Sequence, residues 1–275
     1  MSCLLDIRGV TRRYPRPRRQ LLHSEPPLVA VDNVSVRIEQ GRTLGIVGES
    51  GSGKSTLARM AMAFEAPDEG EVLFEGQPLH RLSPRALQAL RPQFQMIFQD
   101  PFGSLDPRRS VGWSVAQPLR AAGKSAGSRD RVAETLEQVG LRAADMDRYP
   151  HEFSGGQRQR IAIARAIVTK PKLIVADEAV SALDVSVRAQ ILNLLMDLQA
   201  EMGLGILFIS HDLAVVSSLC DDLLVLRNGV AVEQGLAGDI LDSPGHDYTR
   251  TLLTAAALEF EGQHPEGQQP EEQPA

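Results

Sequence analysis

The chain has 275 residues, of which 43% are hydrophobic and 23% are charged, so it can bury a large core in one domain or two lobes. Its formal net charge of −6 gives no electrostatic reason to expect a nucleic-acid ligand. The two cysteines, Cys3 and Cys220, have no metal-ligand spacing and form no disulfide framework, which suits a reducing compartment.

Two segments lack the pattern of regular structure. Residues 12–27, RRYPRPRRQLLHSEPP, are rich in proline and arginine and predict an exposed loop, either simply solvated or in contact with anionic lipid headgroups. Residues 261–275 are acidic and rich in glutamine and proline, which predicts a disordered tail. There is no run of about 18 apolar residues and no signal-peptide core in residues 1–19, so we expect neither a membrane span nor a secretory signal.

Between these segments, short apolar strands alternate with amphipathic helices. We expect strands at VSVRI, TLGIV, EVLFEG and FQMIF, then a helical stretch over roughly 110–168, a strand at KLIVAD, a helix that stops at Gly203, and strands at GILFIS and DLLVLR. This alternation predicts an α/β fold with a largely parallel sheet covered by helices on both faces. The helical stretch interrupts the alternation, so we expect it to form a separate lobe.

A glycine-rich loop lies between the strand TLGIV and the next helix. Gly48 to Ser55, GESGSGKS, fits the pattern G-x-x-x-x-G-K-[ST]. The glycines let the backbone wrap around phosphate oxygens, Lys54 can reach the β- and γ-phosphates, and the Ser55 hydroxyl can bind Mg²⁺. The alternative is a glycine-rich turn without a ligand, but the strand–loop–helix context favours a nucleotide site.

A carboxylate pair, Asp177 and Glu178, ends the apolar run LIVADE, at the edge where parallel sheets bind ligands. Side chains alternate along a strand, so Asp177 can bind the Mg²⁺ that Ser55 also touches. Glu178 would then face a water in line with the γ-phosphate and act as general base. Alone, such a pair often only marks a strand end; beside a phosphate loop it indicates catalysis.

Three further polar features lie just after a predicted strand or at the start of a predicted helix. His211 follows the strand GILFIS and is either structural or close enough to reach a γ-phosphate. Gln99 precedes Asp-Pro and is either a turn residue or a ligand of Mg²⁺ or of the attacking water. Residues 154–157, SGGQ, open a helix, where bare N–H groups favour an anion. One chain therefore has two phosphate-type turns.

The motifs GESGSGKST, FQDP, FSGGQRQR, LIVADE, SALD and SHD occur in the order found in ATP-binding-cassette (ABC) ATPase subunits, and the resemblance covers residues 1–258. It implies a P-loop NTPase (RecA-like) core with a mostly parallel sheet, at about residues 1–92 and 166–240, and an antiparallel β subdomain. It also implies an inserted helical subdomain at about residues 93–165 and a C-terminal extension at about residues 236–258.

In that family, two subunits pack head to tail, and the SGGQ helix of each covers the ATP held by the phosphate loop of the other. The resemblance implies that Glu178 is the general base, His211 the switch histidine and Gln99 the sensor of Mg²⁺ and water, with Lys54 also catalytic. The implied Mg²⁺ ligands are Ser55, Gln99 and Asp177. The implied ATP contacts within the chain are Tyr14, Gly48, Glu49, Ser50, Gly51, Ser52, Gly53, Lys54, Ser55 and Thr56. The implied contacts to the ATP of a neighbour are Ser154, Gly155, Gly156, Gln157 and Asp184, the last from the SALD loop.

Three positions need comment within this resemblance. Tyr14 occupies the place of the aromatic residue that stacks on adenine, although it could equally be a loop tyrosine without a ligand. Phe153 replaces the usual leucine before SGGQ, an apolar exchange that should matter little. Ala179 replaces the usual proline after Glu178, so we expect activity with looser positioning of that carboxylate.

Four stretches resemble the oligopeptide, dipeptide and nickel importer ATPases: the insertion RPRRQLLHSEPPL after Tyr14, QDPFGSLDPRRSVGWSVAQPL, YPHEFSGGQRQRIAIARAI and the C-terminal SPGHDYTRTLLTAA. This resemblance implies a peripheral subunit on the cytoplasmic face of the inner membrane, with a second ATPase subunit, two permeases and an external solute-binding protein as partners. It makes Phe102–Arg109 either the contact with permease coupling helices or a plain surface loop. The solute (peptide, nickel, metal chelate or sugar) and the choice between homodimer and heterodimer stay open. A non-transport ABC ATPase is the alternative, but nucleic-acid-binding surfaces are not evident.

Overall fold

The computed structural model describes residues 3–16, 26–124 and 126–262, without the side chains of residues 101–102 and 257–262. The loop expected at residues 12–27 begins later than predicted, because Arg12, Arg13 and Tyr14 end the strand Cys3–Tyr14 and pair with the strand Leu28–Glu39. The strand stops just before Pro15, which cannot donate to a ladder. Residues 17–25 of the expected loop lie outside the described residues.

Ten strands are present in the described part of the chain, and they form two sheets. The strands are β1 (Cys3–Tyr14), β2 (Leu28–Glu39), β3 (Thr43–Val47), β4 (Glu69–Phe74), β5 (Gln77–Pro78), β6 (Phe94–Ile97), β7 (Leu173–Asp177), β8 (Gly205–Ile209), β9 (Asp222–Arg227) and β10 (Val230–Leu236). The larger sheet has the order β10-β9-β3-β8-β7-β6. All its strand pairs are parallel except β9 with β10, which confirms the predicted α/β fold. The smaller sheet, β2-β1-β4-β5, is antiparallel.

The α-helices in the described residues are α1 (Lys54–Ala61), α2 (Pro84–Leu90), α3 (Pro101–Ser104), α4 (Val111–Val115), α5 (Gln117–Ala121), α6 (Ser128–Gln138), α7 (Gly155–Ile167), α8 (Val185–Met202), α9 (Leu213–Leu219), α10 (Ala237–Asp242) and α11 (Asp247–Gly262). Helix α8 shows how local sequence sets these bounds. The Asp184 carboxylate accepts the N–H of Val187 at 2.9 Å and caps the first turn. Gly203 ends the helix at φ +63°, where glycine has no Cβ penalty.

The central strands separate two hydrophobic clusters. Along β8, Ile206 and Phe208 enter the cluster on the side of the helical lobe, whereas Leu207 and Ile209 enter the cluster shared with the antiparallel sheet. Both faces of β8 are therefore buried, as expected for a strand in the middle of a parallel sheet. All five residues of β8 are buried, which explains why its sequence is an uninterrupted apolar run.

The boundary of the helical lobe differs from the sequence expectation. Residues 93–165 were expected to form the helical subdomain, but β6 pairs with β7 from Phe94 to Ile97 and is an edge strand of the central sheet. The core therefore extends to Ile97. The strand itself was expected at FQMIF, but the boundary implied by the family resemblance placed it in the helical subdomain. Four residues do not show from sequence alone which sheet a strand joins.

The C-terminal region beyond β10 is helical as far as it is described. Helix α11 runs through Gly262, so the first two residues of the expected tail at 261–275 belong to a helix and the rest lies outside the described residues. In the described part of the chain, no helix combines the length and the apolar character that crossing a membrane requires.

Candidate nucleotide-binding site

The carboxyl ends of β3, β6, β7 and β8 meet at one edge of the central sheet. The phosphate loop follows β3, Gln99 follows β6, the carboxylate pair ends β7, and His211 follows β8. Parallel pairing thus brings together motifs that are far apart in sequence, at the edge where open α/β sheets bind ligands.

The phosphate loop has glycine where the backbone leaves no room for a side chain. A Cβ at Gly48 (φ +151°) would lie 2.1 Å from the Leu226 carbonyl oxygen, and one at Gly53 (φ +108°) would lie 2.3 Å from that of Ala30. Both contacts are far shorter than any allowed contact, and both φ angles favour glycine. The glycines therefore let the loop backbone pack directly against the Leu226 and Ala30 carbonyl groups. This close packing shapes the loop that would surround a phosphate.

Lys54, the first residue of α1, is held inside the loop with 5% of its surface exposed. Its ammonium group donates to the carbonyl oxygens of Gly48 at 2.6 Å and of Glu49 at 2.8 Å. Burial lowers the pKa of Lys54, while the carboxylates of Glu178, Asp177 and Glu49 act in the opposite direction. The side chain is a cation held by weak acceptors, so a phosphate would be a stronger partner.

Asp177 lies beside the first turn of α1. The Ser55 hydroxyl donates to its Oδ1 at 3.3 Å. Burial raises the pKa of Asp177, the Ser55 hydrogen bond lowers it, and the charge of Glu178 raises it further. A hydroxyl and a partly desolvated carboxylate are hard oxygen donors, so this pair fits the ligand preference of Mg²⁺.

Two of the other predicted residues lie around the Glu178 carboxylate. The Gln99 amide donates to Glu178 Oε2 at 2.7 Å, and His211 Nδ1 lies 3.5 Å from Glu178 Oε1. Glu178 has φ +48°, which is uncommon for a residue with a Cβ. Its N–H donates to the Ile209 carbonyl oxygen at 3.0 Å, so the neighbouring strand holds the unusual backbone in place.

An open pocket of about 540 Å³ adjoins the phosphate loop. The residues that line it are Tyr14, Leu28, Val29, Ala30, Ser50, Gly51, Gly53, Lys54, Ser55, Thr56, Glu178 and Asn228. Tyr14 is therefore in the same pocket as the phosphate loop, as stacking on a base requires. The Tyr14 hydroxyl donates to Glu65, and the Arg12 guanidinium carbon lies 5.0 Å from the ring centroid. The remaining loop residues, Gly48, Glu49 and Ser52, do not line the pocket.

The second glycine turn forms a capped helix start. The Ser154 hydroxyl accepts the N–H of Gln157 at 3.3 Å, and the Gln157 side chain accepts the N–H of Ser154 at 3.0 Å. A Cβ on Gly156 would lie 2.4 Å from Val187 Cγ1, whereas one on Gly155 would meet no atom within 4 Å. Within the described residues, Ser154–Gln157 are not part of the phosphate-loop pocket of their own chain.

Sequence reasoning missed three residues that hold the predicted ones in place. Glu65 binds the Tyr14 hydroxyl. Arg188 donates to Asp212 at 2.6 Å and to the Leu183 carbonyl oxygen at 3.4 Å, and so connects the SALD loop to the loop of His211. Tyr248 accepts the N–H of Glu49 at 3.1 Å. Tyr248 lies in the C-terminal stretch SPGHDYTRTLLTAA quoted above, but that stretch does not indicate its partner, and Glu65 and Arg188 lie outside the quoted motifs.

The two departures from the family pattern are both buried. Phe153 is 4% exposed and lies under the guanidinium of Arg148, whose carbon is 4.4 Å from the ring centroid. Ala179 is 3% exposed. Each fills an apolar position next to a motif, so neither change leaves a polar group without a partner.

A second pocket, of about 400 Å³, lies between the central sheet and the helical lobe. Phe64 and Phe98 contribute exposed aromatic rings to it (47% and 40% exposed), and Pro118 of α5 lines the other wall. Arg165 also lines it and donates to the Ser104 carbonyl oxygen. Of the expected permease-contact segment, residues 103–109 do not line this pocket.

Comparison with known proteins now identifies the family. The family model described as ABC transporter matches residues 31–181. The chain belongs to the ABC transporter family.

Among curated ABC relatives, the glutathione import ATP-binding protein GsiA of Salmonella choleraesuis (strain SC-B67) is 49% identical over 263 residues, or 95% of this chain and 42% of that protein. GsiA of Escherichia coli (strain K12) is 49% identical over 257 residues, or 93% of this chain and 41% of that protein. The chain therefore spans less than half the length of the curated relatives it matches.

A solved ABC structure shows the same architecture. This chain is similar to the ATP-binding cassette MJ0796, in a dimeric post-hydrolysis state bound to ADP and Pi. The TM-score is 0.74 at 29% identity, covering 85% of this chain and 99% of that one. The agreement confirms the predicted ABC fold.

Proposed function

We propose that this chain is an ATP-hydrolysing subunit of an ABC importer. The observation that carries the proposal is the convergence of Gln99 and His211 on the Glu178 carboxylate, at the same sheet edge as the phosphate loop. An apolar strand end needs no such group of polar side chains for stability. The 49% identity to import ATP-binding proteins over most of the chain supports the same assignment.

In this proposal, the adenine stacks on Tyr14 and the phosphates lie in the loop Gly48–Thr56. Lys54 exchanges its two carbonyl partners for β- and γ-phosphate oxygens, which gains charge-assisted hydrogen bonds. Ser55 and Asp177, with Gln99, hold Mg²⁺, which supplies neutralisation of the phosphate charge.

Glu178 accepts a proton from water as the water oxygen attacks the γ-phosphorus, and ADP leaves as the phosphorus–oxygen bond to it breaks. Gln99 and His211 fix the direction of the carboxylate, and His211 is placed to contact the γ-phosphate. The products are ADP and inorganic phosphate. The phosphoryl group is transferred to the water oxygen, and the proton is transferred to Glu178.

The exposed SGGQ turn acts on a neighbouring subunit in this proposal. Its free N–H groups at the start of α7 favour an anion, yet Ser154–Gln157 are not part of their own chain's nucleotide pocket. Together with Asp184 they would complete the site of a second ABC subunit packed head to tail. The dimeric state of the MJ0796 cassette supports this arrangement.

Permease subunits are the proposed transport partners, and the pocket between sheet and helical lobe is their docking place. Phe98 exposes an aromatic ring in that pocket, and the next residue, Gln99, binds Glu178. A permease helix that displaces Phe98 would therefore move the ligand of the general base. The loop Phe102–Arg109 flanks this pocket through the Ser104–Arg165 contact.

In this proposal, the chain acts at the cytoplasmic face of the inner membrane.

We propose a peptide-class solute, because the relatives are named for import of glutathione, a small peptide. An extracytoplasmic binding protein and the permeases would select it. The test is reconstitution of the chain with candidate permeases and a second ABC ATPase subunit in lipid vesicles that contain MgATP. We expect uptake of short peptides that depends on ATP hydrolysis. Uptake of a sugar or a metal chelate instead would contradict the solute class, and absence of MgATP hydrolysis would contradict the ATPase assignment.

A further inference from the structure

The C-terminal extension contacts the phosphate loop through one buried tyrosine. Tyr248, in the first turn of α11, is 5% exposed. Its hydroxyl accepts the backbone N–H of Glu49 at 3.1 Å. The guanidinium carbon of Arg227, the last residue of β9, lies 4.7 Å from the ring centroid. The ring is therefore fixed by packing, and its hydroxyl reaches a residue 199 positions earlier in the chain.

This contact and Lys54 hold one peptide group from two sides. The carbonyl oxygen of the Gly48–Glu49 peptide accepts from Lys54 at 2.6 Å, and the N–H of the same peptide donates to Tyr248. Both polar groups of that peptide are thus hydrogen-bonded within the chain itself. If Lys54 turns to a phosphate, the bond to Tyr248 is the one that keeps the peptide plane in place.

The extension is in turn fastened to the central sheet. The Glu233 carboxylate on β10 accepts the N–H groups of Gly245 at 2.6 Å and His246 at 3.2 Å, and it also accepts the Thr249 hydroxyl. One carboxylate therefore holds the residues on both sides of Tyr248. Because these bonds hold the backbone on both sides of Tyr248, its hydroxyl offers the phosphate loop a hydrogen-bond acceptor at a fixed position.

We propose that Tyr248 is a positioning residue for the phosphate loop: it keeps the Gly48–Glu49 peptide in its binding geometry when Lys54 moves to the phosphates of ATP. The inference rests on the proposed function, because it concerns the ATP site of an ATPase. It predicts that the C-terminal extension contributes to nucleotide affinity without touching the nucleotide.

The test is Tyr248→Phe, which keeps the ring under Arg227 and removes only the acceptor. Tyr149→Phe, in the helical lobe, is the matched control. In the nucleotide-free protein, we expect faster hydrogen–deuterium exchange of the Glu49 amide in Tyr248→Phe alone. We expect Kd and KM for MgATP to rise about 3- to 10-fold, the effect of one lost neutral hydrogen bond, with kcat within about twofold. Glu233→Gln should shift Kd and KM in the same direction.

Unchanged exchange at Glu49, or an ATP affinity equal to that of the wild type, would overturn the inference. A fall in kcat at constant KM would also overturn it, because Tyr248 would then act on the chemical step. The Tyr248 inference and the proposed ATPase function can each be contradicted without the other. A wild-type chain that neither binds nor hydrolyses MgATP contradicts the proposed function, whereas exchange at Glu49 in the nucleotide-free protein still decides whether Tyr248 holds the loop.

Discussion

At the scale of single residues, Lys54 carries a buried charge whose hydrogen-bond acceptors, among the described residues, are the carbonyl oxygens of Gly48 and Glu49. Burial lowers its pKa, so the cation is poorly solvated where it lies. Phosphate oxygens would stabilise it far better than carbonyls do. We expect Lys54→Ala to weaken ATP binding on the order of 10- to 100-fold or more, the effect of losing charge-assisted hydrogen bonds.

The measurement is equilibrium titration with MgATP. Lys172→Ala is the control, because Lys172 is an exposed lysine paired with Glu75 at 2.7 Å and should leave affinity unchanged. Equal ATP affinity in Lys54→Ala and the wild type would contradict the phosphate-loop assignment.

Glu178 is the residue on which hydrolysis should depend. Glutamine has the same shape and still accepts the Gln99 amide through its carbonyl oxygen, but it cannot take a proton from water. We therefore expect Glu178→Gln to lower phosphate release by about 10²- to 10⁴-fold and to leave Kd for ATP nearly unchanged. Glu75→Gln, at an exposed carboxylate far from the loop, should retain full turnover. Wild-type phosphate release by Glu178→Gln would show that another group is the base.

At the scale of elements, the two glycines that open α7 differ in what surrounds them. Gly156 packs against Val187 of α8, so an added methyl group must push two helices apart, whereas Gly155 faces open space. We expect Gly156→Ala to lower the free energy of unfolding by about 1–3 kcal/mol, as overpacking does. Gly155→Ala should be neutral or slightly stabilising, because alanine favours helices.

Thermal or urea unfolding of the nucleotide-free chain measures both changes without involving a neighbouring subunit. The double variant Gly156→Ala, Val187→Ala should recover most of the lost stability, because the second change removes the methyl groups in the way. Equal stability of the two single variants would mean that α7 and α8 adjust freely, and that SGGQ is not fixed to the SALD loop through this contact.

The elements also show what the sequence could predict. The strands around β3, β7 and β8 and the residues at their ends follow from local apolar runs and motif spacing, and parallel pairing then brings the ends together. By contrast, β6 was expected as a strand, but its four residues gave no sign of the sheet it joins, and the boundary implied by the family resemblance placed it in the helical subdomain. Tertiary packing determines the contacts of Glu65, Arg188 and Tyr248, so a local sequence pattern cannot predict them.

At the scale of the whole molecule, the second phosphate-type turn lies outside the nucleotide pocket of its own chain. Ser154–Gln157 do not line that pocket, although the turn is a fully capped helix start. Val185, directly after the SALD motif, is 70% exposed, and it lies two residues before Val187, which packs against Gly156 of the SGGQ turn. A single surface thus presents an anion site and an apolar contact, which fits a partner that brings its own bound nucleotide.

We therefore expect MgATP to convert Glu178→Gln from a monomer into a dimer, because bound ATP persists when hydrolysis is blocked. Mass in solution, measured with and without MgATP, is the test. Adding Val185→Glu should prevent association and preserve ATP affinity, since a charge at the contact opposes burial but lies outside the chain's own pocket. If Glu178→Gln stays monomeric when saturated with ATP, the same measurement is repeated with the sister ATPase subunit. Association only with that subunit makes SGGQ the cap of a different chain, and association with neither contradicts a cap acting between subunits.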